Sequence, residues 1–515
     1  MEDDLREQLI VHGYFPEQLP PFFTANKLFE YYSELVAAIQ KPERGYYDCV
    51  NFTIHKNSEA RRLLKVPNPI RQLPLIEYVL EKRTELGDIF NANSSSLSNP
   101  FYYTSQEYDD LLFFDLPRLR DEKTSKVNST FLENLQRKMN KSMGYQYCYR
   151  IDIANFYDSI YTHSIEWGFI GREQAKSNRN IDNIGRELDR LVSRTNSKET
   201  AGIPTGPFTS RIISELILDA IDNELDELAV EYNEVFKFTH YVDDYEFYFR
   251  NKSDIHRMKN KIIEIFSSYR LRINEQKTSI ESYPFHNLTD VKKEYDYYMD
   301  KYKETKNERY LRMLFLKADE LTGLGVKGAY KYLYKMLDNK RGIKLSCHWS
   351  IVEPFLIGHL LIQPSLSQYI VNVVLMYKEK ITDAFQQEIF NNLELGLEKH
   401  LHNEAQWLLW ALLKIGYQFT KGELISLYKD SDDDFTKIMI IHTIYDNGFE
   451  ELYDIKALLK EEVQELKELD FNHERWFLIH EWHINRWKDY SEFQNMYNGN
   501  QFYQVMKKHQ ISFIS

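Results

Sequence analysis

Two adjacent carboxylates, Asp243 and Asp244, lie between two aromatic-rich runs at residues 236–241 and 246–249. Such runs predict two β-strands joined by a tight turn, so the carboxylates are expected at the tip of a hairpin. Two negative charges this close together repel each other unless a cation neutralises them. An isolated Asp-Asp pair is most simply a turn, because aspartate is a common turn residue, so a metal site needs further support.

A third carboxylate supplies that support. Residues 145–152 alternate between apolar or aromatic and polar side chains and end at Asp152, which predicts a half-buried strand. If this strand and the hairpin are neighbours in one sheet, Asp152 and Asp243 face each other across a cleft. Two Mg²⁺ ions about 4 Å apart could then be held there, one activating an attacking hydroxyl and the other stabilising a leaving pyrophosphate.

Three other segments contain residue types that suit such a site. Residues 202–206 read Gly-Ile-Pro-Thr-Gly and precede a predicted helix. Glycine lets the backbone approach a nucleotide closely, and a helix start offers free N–H donors. Lys277 follows the hairpin, and residues 51–71 carry five basic side chains against one acid. Each of these features alone is an ordinary loop or surface.

The periodicity of apolar residues divides the chain into two parts. Short β-type runs separated by helices occupy residues 145–285, whereas apolar residues beyond 290 are spaced three and four apart, as in helices. Residues 410–416 and 442–448 are similar at an offset of 32, and 479–484 are a degenerate third copy, which suggests stacked helix pairs. We therefore predict an α+β module over 1–290 and an all-α helical-repeat domain over 291–515.

Composition argues against several classes of protein. The 515 residues include 65 Lys+Arg and 78 Asp+Glu, and the net charge of −13 argues against a protein that coats long duplexes. The three widely separated cysteines exclude a disulfide scaffold or a paired-cysteine zinc site, and they fit a reducing compartment. The amino end is acidic where a signal peptide is basic, and no apolar run reaches about 18 residues. We expect a cytoplasmic protein without a membrane span.

The order and spacing of four motifs resemble reverse transcriptases. The motifs are the palm aspartate followed by Phe-Tyr, the GxPxG element, the YxDD hairpin and an LxxNxxKT element. Longer strings look like the abortive-infection (Abi) reverse transcriptases of bacterial anti-phage defence, namely residues 57–62, 65–68, 155–167, 202–206 and 210–216. The resemblance covers about residues 50–285, and it extends to the second half only in type, because that family carries an α-helical repeat domain there.

The resemblance implies a right-hand polymerase fold and a role for each matched residue. The fold would be a fingers–palm module with an antiparallel palm sheet, followed by HEAT-like helical repeats in place of a thumb. Asp152, Asp243 and the carbonyl of Ile153 would bind two Mg²⁺ ions, Asp244 would mainly orient, and Lys277 would protonate the leaving pyrophosphate. Further nucleotide-binding residues would be Lys56, Arg61, Arg62, Tyr157 as a steric gate that favours dNTPs, Gly202, Pro204, Thr205 and Gly206.

One departure bears on the reaction. Thr205 stands where many reverse transcriptases have glutamine, and its short hydroxyl cannot reach template and nucleotide together. The Abi branch shares this departure, and its members are associated with untemplated DNA synthesis primed on the protein itself. The resemblance thus implies polymerisation of dNTPs into single-stranded DNA that is attached to a tyrosine. Candidate priming tyrosines ahead of the palm are Tyr14, Tyr31, Tyr32, Tyr46 and Tyr47.

Two other functions stay open at this point. The chain could be a template- and primer-dependent reverse transcriptase, or a non-catalytic palm that binds nucleic acid or a phage protein. The intact set of three aspartates argues against the non-catalytic alternative. Family members assemble into homo-oligomers, so the resemblance also implies self-association.

Overall fold

The computed structural model describes residues 2–39, 45–57, 60–100, 102–103, 111–112, 127–177, 183–285, 290–326, 328–337 and 344–515. The amino-terminal part begins with three helices and a two-stranded antiparallel hairpin, and it continues with three further helices and a short strand pair. Its elements are α1 (Glu2–Ile10), α2 (Asn26–Glu30), α3 (Tyr32–Ala38), β1 (Val50–Asn57), β2 (Ala60–Val66), α4 (Pro69–Glu81), α5 (Arg83–Ala92), β3 (Tyr102–Tyr103), β4 (Leu111–Leu112) and α6 (Val127–Lys141).

A four-stranded antiparallel sheet forms the centre of the next part, with strands in the order β6-β7-β5-β8. A 3-10 turn at Glu275–Lys277 leads into the last of these strands. The elements are β5 (Tyr147–Asp152), α7 (Phe156–Ser159), α8 (Ser164–Ile170), α9 (Arg172–Ser177), α10 (Ile184–Thr195), α11 (Phe208–Glu231), β6 (Phe236–Tyr241), β7 (Asp244–Phe249), α12 (Lys252–Ser268) and β8 (Ser279–Ser282).

Alternating aromatic side chains explain how this sheet packs. Phe238, Tyr245 and Phe247 are buried on one face, which α11 and α12 cover, and the ring of Tyr245 meets Phe266 of α12 edge to face. The opposite face buries a smaller cluster that includes Cys148 and Tyr248. Successive residues of a strand point to opposite faces, so the sequence alternation produces both layers. The predicted antiparallel sheet is confirmed, and β7 begins at Asp244, two residues earlier than predicted.

The described residues after β8 form helices and contain no strand. Helices α18 and α19 pack as a pair, α19 contacts α21, and α21 contacts α23. The helices are α13 (Asp290–Thr305), α14 (Glu308–Gly323), α15 (Ala329–Leu337), α16 (Trp349–Ile362), α17 (Ser367–Met376), α18 (Asp383–Glu398), α19 (His402–Ile415), α20 (Lys421–Asp430), α21 (Asp434–Asp446), α22 (Tyr453–Leu466), α23 (Trp476–Ile484), α24 (Gln494–Asn498) and α25 (Gln501–Lys508). The helical character of the second half is confirmed, and the domain boundary at residue 290 stays a prediction. In the described part of the chain, no helix is both long enough and apolar enough to span a membrane.

The two ends of the chain share one apolar core. The N–H of Thr24 donates to the carbonyl of Phe513 at 2.7 Å, and the N–H of Ser515 donates to the carbonyl of Phe22 at 2.9 Å. The ring of Phe513 is buried and stacks on Tyr14 with centroids 5.8 Å apart. The carboxyl-terminal residues therefore pack against the amino-terminal segment that precedes the β1–β2 hairpin.

Phe513→Ala tests this shared core. Removing a fully buried aromatic ring leaves a cavity and should lower the free energy of unfolding by about 3–5 kcal/mol. Tyr453→Ala is the control, because Tyr453 is 85% exposed and its removal opens no cavity. Urea denaturation of both variants measures the difference, and a loss below about 1 kcal/mol for Phe513→Ala would contradict the packing.

Candidate active site

The register of two neighbouring strands brings three carboxylates to one edge of the sheet. Strands β5 and β7 pair antiparallel with Asp152 directly opposite Asp244, and Asp243 lies in the two-residue turn between β6 and β7. The N–H of Ile153 donates to the carbonyl of Asp243 at 3.1 Å, which fixes the turn beside β5. Asp152 is 4% exposed. Residues predicted from two separate motifs are therefore neighbours in space.

The electrostatics of this edge favour a cation. Burial and the charges of Asp244 and Asp152 raise the pKa of Asp243 to about 6. Burial and Asp152 also raise the pKa of Asp244, while Lys277 opposes the rise, as Arg62 does for Asp243. Carboxylate oxygens that repel one another are the donor set that Mg²⁺ takes, so the residues fit a divalent metal.

Lys277 already pairs with one of these carboxylates. Its Nζ donates to both carboxylate oxygens of Asp152, at 2.9 and 2.6 Å. The segment that carries Lys277 is held against β5, because the N–H of Asn274 donates to the carbonyl of Asp152 at 2.8 Å. The lysine predicted as a proton donor thus lies within hydrogen-bonding distance of the Asp152 carboxylate.

Tyr157 lies between the carboxylates and helix α11. Its ring is half-buried, and its backbone carbonyl accepts from the N–H of Ile203 at 3.0 Å. Burial raises the pKa of the Tyr157 hydroxyl, whereas Arg211 and a hydrogen bond with Ser214 oppose that rise. These contacts hold an aromatic side chain near Asp243, and its role as a steric gate stays a prediction.

The loop at 202–206 is tightly packed beside Tyr157. Gly202 has φ +81° and its N–H donates to the carbonyl of Ile160 at 2.7 Å. A Cβ on Gly206 would lie 2.5 Å from Pro16, so this position requires glycine. Pro204 is buried within the loop, and the carbonyl of Thr205 accepts from the N–H of Lys65 at 2.9 Å.

One donor that we expected to be available to a nucleotide is already used. The N–H of Phe208, the first residue of α11, donates to the carbonyl of Gly13 at 2.8 Å. The amino-terminal segment therefore occupies part of this helix start. The sequence did not indicate this contact, because Gly13 and Phe208 are almost 200 residues apart in the chain.

The β1–β2 hairpin separates the three predicted basic residues. Lys56 is exposed and its Nζ donates to Asn155, at 3.4 Å, beside the carboxylates, and Arg62 is near enough to lower the pKa of Asp243. Arg61 instead pairs with Glu404 of α19 at 2.8 Å. Neighbouring residues of a strand point to opposite faces, so Arg61 and Arg62 lie on opposite faces of the hairpin.

The five candidate priming tyrosines differ in accessibility. Tyr14, Tyr32 and Tyr47 are buried, and the hydroxyl of Tyr14 donates to the carbonyl of Pro67 at 2.7 Å. Tyr31 is half-buried and stacks on His509 at 4.1 Å between ring centroids. Tyr46 is 63% exposed, with the ammonium of Lys198 4.1 Å from its ring centroid.

A buried polar network behind the hairpin was not predicted. His240 lies 2.9 Å from Asp222 of α11 through Nε2, and its Nδ1 lies 3.2 Å from the carbonyl of Val242. The Ser98 hydroxyl accepts from the N–H of Val242 at 2.8 Å and donates to Glu215 at 3.1 Å. Val242 has φ +51°, which is rare for a β-branched residue, so these contacts hold a strained turn in place.

His240→Gln tests the electrostatic part of this network. Burial alone would lower the pKa of His240, but Asp222 and Glu215 outweigh it and raise the pKa to about 9 from 6.5. The charged imidazole therefore stabilises the fold fully below about pH 6.5, and this contribution disappears as the pH rises through about 9.

The measurement is the free energy of unfolding of both proteins between about pH 6 and pH 10. The wild type should lose up to about 3 kcal/mol relative to His240→Gln across this interval. His509→Gln is the control, because His509 makes its ion pair with Glu34 near the surface. Parallel curves for wild type and His240→Gln would contradict a charged His240.

Comparisons with known proteins agree with the geometry. Residues 103–327 match the sequence model of the family "Reverse transcriptase (RNA-dependent DNA polymerase)", a region that contains all three carboxylates and Lys277. The matched region begins after Lys56, Arg61 and Arg62, so their assignment to the fingers stays a prediction. No curated protein matches the chain.

Solved structures of yeast telomerases are distant neighbours. A Candida tropicalis apo telomerase truncated from its C-terminal domain is 17% identical, with a TM-score of 0.30. The match covers 51% of this chain and 56% of the telomerase chain, so this protein spans about half the length of that telomerase. The Candida albicans telomerase, in complex with a fragment of telomeric RNA, is 12% identical with a TM-score of 0.30, over 80% and 69%. Scores this low establish no shared activity.

The family match and the grouping of the carboxylates lead to the same conclusion. The matched residues include the strand that ends at Asp152 and the hairpin that carries Asp243 and Asp244. The chain contains a reverse transcriptase domain over residues 103–327, and this domain indicates an enzyme of the nucleotidyltransferase class.

Proposed function

We propose that this enzyme polymerises dNTPs into single-stranded DNA with Mg²⁺, without a template, and on a primer that is one of its own tyrosines. We place it in the cytoplasm, in abortive-infection defence against phage, on the resemblance to Abi reverse transcriptases. The observation that carries the catalytic part is the crowding of Asp152, Asp243 and Asp244 at one sheet edge beside Lys277.

In the proposed reaction, a tyrosine oxygen attacks the α-phosphate of a dNTP. A phosphotyrosine bond forms, the bond from the α-phosphate to pyrophosphate breaks, and the tyrosine proton is lost to solvent. Asp152, Asp243 and the Ile153 carbonyl would hold the metals, which supply charge neutralisation for this transfer, and Asp244 would orient them. Lys277, 2.6 Å from Asp152, would protonate the departing pyrophosphate.

The nucleotide would lie between the fingers and the Tyr157 ring. Lys56 and Arg62 reach this side of the hairpin and would bind the triphosphate, whereas Arg61 would serve there only if it left Glu404. Tyr157 would exclude a 2′-hydroxyl, because a hydrogen bond between its own hydroxyl and Ser214 keeps the side chain in place. Gly202, Pro204, Thr205 and Gly206 would shape the wall beside the base.

Accessibility favours Tyr46 among the five candidate primers. A priming hydroxyl has to reach the α-phosphate and carry a growing strand away from the protein. Tyr46 is 63% exposed, while Tyr14, Tyr32 and Tyr47 are at most 6% exposed. We therefore propose Tyr46 as the primer, with the half-buried Tyr31 as the second candidate.

The second half would replace the thumb. Successive contacts of α19 with α21 and of α21 with α23 are those expected of stacked HEAT-like repeats. Glu404 joins these helices to the fingers, so the repeats would enclose the product strand. We also propose that the chain forms a homo-oligomer, as the resemblance implies.

The reaction is tested by incubating the purified full-length protein with Mg²⁺ and radiolabelled dNTPs, without primer or template. Label should remain on the wild-type polypeptide under denaturing conditions and fall by roughly 100-fold or more in Asp243→Asn. Asp158→Asn is a matched control, because Asp158 is an exposed carboxylate that lies outside the triad.

Tyr46→Phe should lose the label, whereas Tyr47→Phe, which alters a buried neighbour, should keep it.

Added substrates separate the remaining alternatives. Strict dependence of incorporation on an RNA template with an annealed primer would show a conventional reverse transcriptase. Equal phage protection by wild type and Asp243→Asn would show a binding function without catalysis. Label that persists in Tyr46→Phe would refute Tyr46 as the primer but leave protein priming intact, and mass spectrometry of the labelled peptide would then identify the tyrosine.

A further inference from the structure

Two histidines and an aspartate meet where two interhelical turns approach the fingers. His400 and His402 lie at the turn from α18 to α19, and Asp432 lies at the turn from α20 to α21. In the described part of the chain, this is the one group of three His, Cys, Asp or Glu residues whose ligand atoms all lie within 4.8 Å of one another. We propose that these three residues bind a structural Zn²⁺ ion.

The approach of the three ligand atoms supports this proposal. Nδ1 of His400 lies 2.8 Å from one carboxylate oxygen of Asp432, and Nε2 of His402 lies 2.8 Å from the other. Nε2 of His402 is buried and makes no hydrogen bond, although Asp432 is this close. A shared cation explains the close approach, because the nitrogen would present its lone pair to the metal rather than a proton to Asp432.

The other ring nitrogen of His402 supports the same orientation. Its Nδ1 lies 3.4 Å from the hydroxyl of Thr53 in β1. Metal-binding histidines usually direct their second nitrogen to such a polar partner, which fixes the ring and the tautomer. His400 has φ +53°, a left-handed conformation that few residues other than glycine adopt, and it places this ring beside the other two ligands.

The donor set indicates zinc and a structural role. Two imidazoles and one carboxylate suit Zn²⁺, with water as the fourth ligand, whereas Mg²⁺ takes an octahedron of oxygen atoms. Bound here, the ion would tie the α18–α19 turn to the α20–α21 turn of the helical half. Glu404, which pairs with Arg61, follows His402 by two residues, so the ion would also strengthen the contact between α19 and the fingers.

The test is zinc binding by the full-length protein, stripped with a chelator and dialysed against Zn²⁺. Mass spectrometry of the metal content should find about one more zinc per chain in the wild type than in His400→Asn. The difference between the wild type and His400→Asn excludes any zinc that the carboxylates of the active site hold, because both proteins contain them. His400→Asn should fold, because His400 is 68% exposed at its side chain and asparagine tolerates the left-handed backbone.

Two further variants make the result decisive. Asp432→Asn should lose the same zinc, and His442→Asn should keep it, because His442 pairs with Asp446 without a third ligand. Zinc should also raise the thermal midpoint of the wild type but not that of His400→Asn. Equal zinc content in the wild type, His400→Asn and Asp432→Asn would overturn the proposal, and it would leave the proposed polymerase reaction untouched.

Discussion

Repulsion among Asp152, Asp243 and Asp244 is the constraint on which the rest of the catalytic region depends. The register of β5 with β7 brings the three carboxylates together, and burial together with the charges of Asp244 and Asp152 raises the pKa of Asp243 to about 6. Two cationic side chains partly offset the repulsion between the carboxylates. Lys277 pairs directly with Asp152, and Arg62 of the β1–β2 hairpin lowers the pKa of Asp243. A sheet edge under this electrostatic strain is suited to bind divalent metals and a triphosphate.

Holding such an edge in place requires support from behind and from the side. Behind the hairpin, His240 connects the turn to Asp222 of α11, while Ser98 fixes the N–H of Val242. From the side, Arg61 and Glu404 join the fingers to the helical half. The shared core at Phe513 adds a second connection, because it joins the carboxyl-terminal residues to the amino-terminal segment.

The local parts of this account could be predicted from the sequence. Aromatic alternation predicts the antiparallel sheet, and apolar spacing predicts the helical second half. The spacing of motifs singles out three aspartates and Lys277, which the structure brings to one sheet edge. The helices and strands depend on residues close together in the chain, and the periodicity of apolar residues predicts them. The strand bounds shifted by two residues, because β7 includes Asp244 and β5 starts at Tyr147.

The non-local contacts could not be predicted in this way. Arg61 and Arg62 look equivalent in the sequence, yet they differ because a partner 343 residues away, Glu404, lies on one face of the hairpin. Asp222 is one acid among many in α11 until His240 is placed against it. The group of His400, His402 and Asp432 likewise appears only when two turns, 30 residues apart in the chain, meet beside the fingers.

The most direct measurement of the central claim is anomalous diffraction from crystals of the full-length protein soaked with Mn²⁺ and a non-hydrolysable dNTP. Our account expects two manganese peaks about 4 Å apart, bounded by Asp152 and Asp243, with the triphosphate reaching toward Lys56 and Arg62. Manganese bound elsewhere, with no peak between these two carboxylates in the presence of the nucleotide, would contradict it.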